Sequence, residues 1–324
     1  MLEFFRNSYL GQYLTVFFLG LILWSPRFLG CSDHVTNSFI VGDPDWVDIL
    51  KNINPVIGTV LAFLIVYFTG ILLNNLASHY EFIEKNSLYV LLMFVVVFSL
   101  FAVLENLSLI VINSLFIYLL LFKLFKHDEA PHNVFIALDA GLFLGLVAVW
   151  FNPALFLLPV LWISFIIIGG VSWRSFVSSI LGVMMPLFGE YLYYFFTGDE
   201  QLFFEHFSNS FVSILNFNVP FHFAGFTLST GMLIVFTIIG LLAISAKGKL
   251  SIRSRKLFNI LGLFILSTAF LIFVFYSENQ ISLLFPPVAV IIGYIFNTMA
   301  GSKRINILFG IILIMILINN WVSC

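Results

Sequence analysis

Apolar residues along this chain come in runs of roughly twenty, broken by short polar stretches. That is about the length an α-helix needs to cross a hydrocarbon layer of ~30 Å. Lipid offers no water to backbone N–H and C=O groups, so such runs are helices that satisfy their own hydrogen bonds. The pattern predicts spans at about 9–28, 56–76, 88–104, 107–125, 134–151, 154–168, 176–197, 227–246, 257–276, 281–299 and 305–322. The expected fold is all-α, a polytopic helical membrane protein of about eleven transmembrane helices forming one integral domain over residues 1–324. Glu105-Asn106 and Asn152-Pro153 predict tight turns, and longer outer loops fall at about 31–55 and 198–226.

Charge fixes the direction of threading. With the N-terminus inside, the inner side collects Arg6, Lys85, Lys123, Lys126, Arg174, Lys247, Lys249, Arg253, Arg255, Lys256, Lys303 and Arg304. Of the 14 lysines and arginines, only Arg27 and Lys51 fall outside. This is the bias that the positive-inside rule demands, and an odd number of crossings then puts the C-terminus outside. In the second outer loop, Phe203, Phe207, Phe211 and Leu215 recur every four residues, with Glu205, Ser208 and Ser210 off that stripe. The spacing predicts an amphipathic helix lying in the outer interface and ending before Pro220.

Composition agrees with the pattern. Hydrophobic residues make up 61% of the chain, including 41 Phe, and charged residues only 9%. A soluble domain of this length has no way to hide that much apolar surface. The net charge of −2 carries little meaning because the charges are sorted by side. The basic loops are short and match what topology alone requires, which excludes a nucleic-acid partner. Cys31 and Cys324 both fall near the outer face, as a disulfide in an oxidising compartment or as two thiols.

Candidate chemistry is sparse. The first outer loop holds Asp33, His34, Asp43, Asp45, Asp48 and Lys51. Clustered carboxylates raise one another's pKa and suit a general base or a divalent cation. Asp43-Pro44-Asp45 has the D-x-D form that some sugar-transferring enzymes use for a metal, and it equally makes a turn capping a helix near Trp46. Arg27 and Lys51, retained against the charge bias, suit binding of a lipid phosphate, or snorkelling to headgroups. Asp139 and Glu190 lie inside apolar runs, where an ionisable group is costly and marks a site or a structural pair. Asp139 is placed to meet Arg174 or a lysine of an adjacent inner loop. Glu190, after Pro186 and before Tyr191, Tyr193 and Tyr194, is placed to line an outward cleft. His206 and His222 suit headgroup or metal contact, or plain exposure. No phosphate-binding loop, dinucleotide fingerprint, nucleophile elbow, HExxH or CxxC occurs.

Asp139-Ala140-Gly141, Pro153, Trp173-Arg174, Gly182 and Pro186 follow in an order that resembles an uncharacterised family of polytopic inner-membrane proteins from Bacteroidota. Asn74-Asn75 and Lys85-Asn86 extend the likeness loosely over most of the chain. The resemblance implies a compartment, the bacterial inner membrane, and a joint role for Asp139 and Arg174 on the inner side. A vaguer similarity, in many helices, an acidic first outer loop and a later interfacial helix, is to membrane-embedded glycosyltransferases that use lipid-phosphate sugars.

Three functions are thus expected. In the first, a glycosyltransferase-like enzyme takes a polyprenyl-phosphate-linked sugar in an outer cleft. Asp43 or Asp45 serves as base, with or without a divalent metal ion, Arg27 or Lys51 holds the phosphate, and Glu190 and His222 line the cleft. In the second, the chain is a non-catalytic subunit of an envelope complex for secretion, motility or cell-wall assembly, with other membrane proteins as partners. In the third it is a transporter, which lacks the usual internal repeat.

Overall fold

The computed structural model describes residues 2–6, 10–28, 55–100, 107–130, 133–169, 172–212, 238, 250–275, 282–299 and 303–322. Among these residues all regular structure is helical, with no strand. A short 3₁₀ turn, Leu2–Arg6, precedes α1 (Leu10–Leu23) and α2 (Ser25–Phe28). There follow α3 (Pro55–His79), α4 (Tyr89–Leu100), α5 (Leu107–Glu129) and α6 (Val134–Trp150). A 3₁₀ segment, Asn152–Leu157, leads into α7 (Leu158–Ile168), then α8 (Trp173–Thr197) and α9 (Glu200–Val212). The last elements are α10 (Ile252–Phe275), α11 (Phe285–Met299) and α12 (Lys303–Val322).

Within α3, α8 and α10 lie three helical stretches long and apolar enough to cross a membrane. The expected span at 227–246 lies outside the described residues, as does the Glu105-Asn106 turn. Where helices are described they follow the apolar runs; α5 and α10 overshoot theirs at the polar ends, while α7 falls short of 154–168 because the 3₁₀ segment takes up the first residues of that run. α5 continues through Lys126 to Glu129, and α10 begins ahead of Arg253, Arg255 and Lys256. An apolar run marks only what lipid must cover, whereas helical hydrogen bonding continues into water until a cap stops it. The caps are visible in the sequence. Asn133 accepts from the Phe135 N–H at the start of α6, and Ser172 accepts from the Ser175 N–H at the start of α8. α7 ends at Gly169 with φ 94°, a left-handed conformation that glycine takes without strain.

The core is built around α4, in which Tyr89 through Ser99 are all buried. It packs against α3 and α11, with α1 and α12 beyond. Phenylalanine fills this centre edge-to-face: Phe98 lies 5.2 Å from Phe94 and 4.7 Å from Phe285. The buried Trp24 indole donates to Ser99 Oγ at 3.2 Å, so its one polar atom is satisfied.

A second packing unit joins α6 and α8. Ser178 Oγ donates to the Val134 carbonyl, and Gly145 lies against Val183, so the two helices run parallel. The crossing is lined by Gly141, Gly145, Ser178, Ser179 and Gly182, and small residues of this kind let membrane helix backbones touch. The outward faces of the long helices are apolar instead. Phe68 is 58% exposed on α3, and Leu181, Met184 and Phe188 carry more than half their surface outward on α8. Apolar faces of that extent belong in lipid. The fold is that of a helical membrane protein.

Candidate functional site

Charged side chains of the described structure gather where the polar ends of α3, α5 and α10 meet. Arg253, at the start of α10, donates through Nε to Asp128 Oδ2 and through Nη2 to Glu129 Oε1, the latter at 3.2 Å. His79 Nε2, at the end of α3, shares that Glu129 oxygen at 3.0 Å. The Arg253 guanidinium stands 5.2 Å over the Tyr80 ring, and Ser254 Oγ donates to the Tyr80 carbonyl at 2.8 Å. The hydrogen bond from His79, reinforced by Arg253, holds the Glu129 carboxyl below the ordinary glutamate range against the opposing effect of partial burial. Next to the cluster, His127 is fully buried with its ring 4.7 Å from Phe165.

The segment after α3 is pinned twice more. Arg6 makes a two-pronged pair with Glu84, both contacts at 2.9 Å, and the Leu88 N–H donates to the Phe5 carbonyl. Buried Asn74 donates to the Ser87 carbonyl at 2.9 Å and accepts from the Leu91 N–H, capping the first turn of α4. Both ends of this cluster fall between the apolar runs, in 77–87 and in KHDEAPHN after residue 125. The one signal for the cluster was a Lys-His-Asp-Glu run facing a basic run more than a hundred positions later.

Asp139 has a different partner from the one that the family likeness implied. Its Oδ2 receives a 2.6 Å bond from Lys123 Nζ, near the C-terminal end of α5. Arg174 sits exposed on the first turn of α8. The lysine prevails through register: Ser178 lies level with Val134 and Gly182 with Leu138, so Arg174 stands about two turns away from Asp139 along α8, while Lys123 on the adjacent α5 comes level with it.

Glu190 lies on α8 as expected and is buried, 7% exposed. One turn on, Tyr194 is also buried, and Tyr191 and Tyr194 receive the Phe203 ring at 5.5 and 6.2 Å. Phe203 and Phe207 stack at 6.1 Å on the inward face of α9, while Glu205 and Ser208 face out. The described half of the stripe therefore lies on one face of an amphipathic helix, packed on α8 and on the 3₁₀ segment after α6, while the Phe211 side chain, Leu215 and the expected end before Pro220 lie outside the described residues. Asn152 in the 3₁₀ segment is buried as well. Glu190 is thus a buried carboxyl one turn before Tyr194, on the helix that α9 packs against.

The other expected site residues are not brought into view. Asp43, Asp45, Lys51 and His222 lie outside the described residues, as do Cys31 and Cys324. Arg27 belongs to α2, and its side chain lies outside them too. Among the described residues no three His, Cys, Asp or Glu side chains come together in a metal-binding group. What Arg6, His79, Lys123 and Arg253 do with their acidic partners is neutralise charge and fasten helix ends. Comparison with protein-family models, curated proteins and solved structures returns no match for this chain.

Proposed function

We propose that this chain is a multi-pass protein of the bacterial inner membrane, with the Arg253 cluster on the cytoplasmic side. It acts there as a helical subunit of an envelope complex. The observation that carries this reading is how its side chains are divided. Arg6, His79, Lys123 and Arg253 are spent on ion pairs tying helix ends together, while α3, α8 and α12 turn continuous apolar faces outward. Ends so fastened make a rigid unit, and wide apolar faces serve lipid and neighbouring membrane helices alike. Two measurements test it. Single cysteines at Lys85 and Lys126 should react with an impermeant maleimide only after the inner face is opened, and one at Asp199 should react in intact spheroplasts. Native electrophoresis of gently solubilised membranes should find the chain in a species heavier than its own micelle. Migration as a lone chain would overturn the subunit reading.

Retention of a carboxyl, Glu190, buried on an apolar helix favours a second reading. Here an outward cleft handles a polyprenyl-phosphate-linked sugar, with Asp43 or Asp45 as base, a divalent cation beside them, and Arg27 or Lys51 on the phosphate. Replacing Glu190 by Gln, and Asp43 with Asp45 by Ala, in a loss-of-function background decides it. Loss of rescue at normal protein levels supports transfer chemistry, and full rescue removes it.

A further inference from the structure

α3 ends in a turn that its own sequence does not favour. The Phe82 N–H donates to the Ala77 carbonyl at 2.9 Å and the Glu81 N–H to the Ser78 carbonyl at 3.2 Å, a pair of bonds that closes a helix over a left-handed residue. That residue is Glu81, with φ 58°, and among the described residues it alone combines a side chain with a positive φ. Glycine takes such a conformation without penalty, as Gly169 and Gly198 do at the ends of α7 and α8. A glutamate brings its β-carbon against the backbone, and so opposes the turn it occupies.

What imposes the turn comes from α10. Just before Glu81, the Tyr80 carbonyl accepts from Ser254 Oγ at 2.8 Å. The Arg253 guanidinium covers the Tyr80 ring at 5.2 Å while bonded to Asp128 and Glu129 of α5. Just after Glu81, Phe82 is 2% exposed, and its ring lies 5.8 Å from both Phe125 of α5 and Phe258 of α10. Both neighbours of the strained residue are thus gripped by a helix that lies 174 positions further along the chain. Strain of this kind persists only where the surroundings impose it. A glycine at this position would let the turn close unaided. A glutamate makes closure depend on α10, and by linkage makes the docking of α10 depend on the turn.

We infer that Glu81 makes this turn a latch between α3 and α10, shut while Arg253 and Ser254 sit on Tyr80 and released from the left-handed conformation when they part. The latch joins two of the three long apolar helices at their polar ends, so a displacement of either is passed to the other. Its action is the same whichever side of the membrane those ends occupy. Hydrogen exchange of the full chain in micelles, resolved by mass spectrometry, reads the latch through the Glu81 and Phe82 amides. Arg253→Gln should lower their protection several-fold, and Ser254→Ala, a smaller change, should do the same if the first variant folds poorly. The amides of Leu91 and Leu92 in α4, bonded to Asn74 and to the Leu88 carbonyl, should keep the parent's protection. Glu81→Gly added to Arg253→Gln should bring the two turn amides back near the parent, whereas Glu81→Ala should not, because alanine meets the same backbone. By reciprocity Glu81→Gly alone should raise protection of the Arg255 N–H, which bonds to the Ser251 carbonyl in the first turn of α10. Unchanged protection at Glu81 and Phe82 in both the Arg253 and the Ser254 variants would show that the turn holds itself, and would overturn the latch. Rescue by Glu81→Ala as complete as by Glu81→Gly would overturn it too, by tracing the effect to the lost carboxylate rather than to strain.

Discussion

Gly141 of α6 and the carbonyl of Ser179 on α8 stand so close that no β-carbon fits between them. Gly182 stands in the same relation to the Leu138 carbonyl, and a β-carbon on Gly145 would lie 2.6 Å from that of Val183. Three glycines on two parallel helices thus set one backbone contact. Lipid gives helices little hydrophobic reason to associate, so close packing of this kind has to supply the attraction. Gly141→Ala and Gly182→Ala should each lower stability by about 1–3 kcal/mol, the usual cost of overpacking a closed site. Gly189 and Gly310 have nothing within 4 Å of a built β-carbon. Their alanine variants should stay within about 0.5 kcal/mol of the parent. Unfolding titrations in mixed micelles measure all four, and equal losses across them would remove the crossing from the explanation.

Lys123 and Asp139 should behave as a unit. Their side chains are 24% and 38% exposed, near the C-terminal end of α5 and the N-terminal end of α6, so either charge left alone meets a poorly solvating environment. Lys123→Met or Asp139→Leu alone should cost more than the double replacement, with a coupling of about 1–2 kcal/mol. A double-mutant cycle in the same assay checks this. Additive losses would show that the two charges are independently solvated.

Much of the helical layout is visible in the apolar runs, because lipid forces an unbroken apolar stretch on each crossing element. The run at 134–151 became Val134–Trp150, and the run at 305–322 became Lys303–Val322. The α9 stripe was legible for the same reason, since a one-sided helix shows its period. The partnership of Asp128 with Arg253, 125 positions apart, was not legible. Each charge looked like an ordinary inner-loop residue, and nothing local to either sequence says that α5 and α10 end side by side. The α6–α8 crossing lay in between. Gly141 and Gly145 are spaced four apart, and so are Ser178 and Gly182, which is the small-residue signature of touching membrane helices. Small residues within apolar runs were simply read as part of the runs. Asp139 marks the limit of the family likeness: the motif pointed to Arg174, and packing supplied the other kind of partner that the residues themselves allow, a lysine, Lys123.

Asn74 offers a test of the turn between α3 and α4. Its amide serves two backbone groups from a site only 4% exposed, so its removal strands a buried carbonyl and a buried N–H. Asn74→Leu should cost about 1–3 kcal/mol. Asn75, its exposed neighbour, should tolerate the same change within about 0.5 kcal/mol. Comparable losses at both positions, measured by thermal melting in detergent, would show that hydrogen bonding by Asn74 is not what matters there.

The Glu129 cluster predicts how stability responds to acid. His79 and Arg253 hold the folded carboxyl below its ordinary value, so the unfolded chain, whose glutamate titrates near 4.3, takes up the proton first as pH falls. The stabilisation is complete above that unfolded value and is lost as pH drops through the lower folded one. Solvent screens the cluster, since the Glu129 and Arg253 side chains are 38% and 46% exposed, which limits the contribution to about 1 kcal/mol or less. Glu129→Gln should therefore be slightly less stable than the parent at pH 6–7, and the gap should close between roughly pH 4.5 and 3. Arg253→Gln should cost more at neutral pH, because it also strips the partner from Asp128, whose side chain is only 12% exposed. Melting temperatures across that pH range test both variants. Curves that stay parallel to the parent down to pH 3 would show that Glu129 has the same affinity for a proton folded and unfolded.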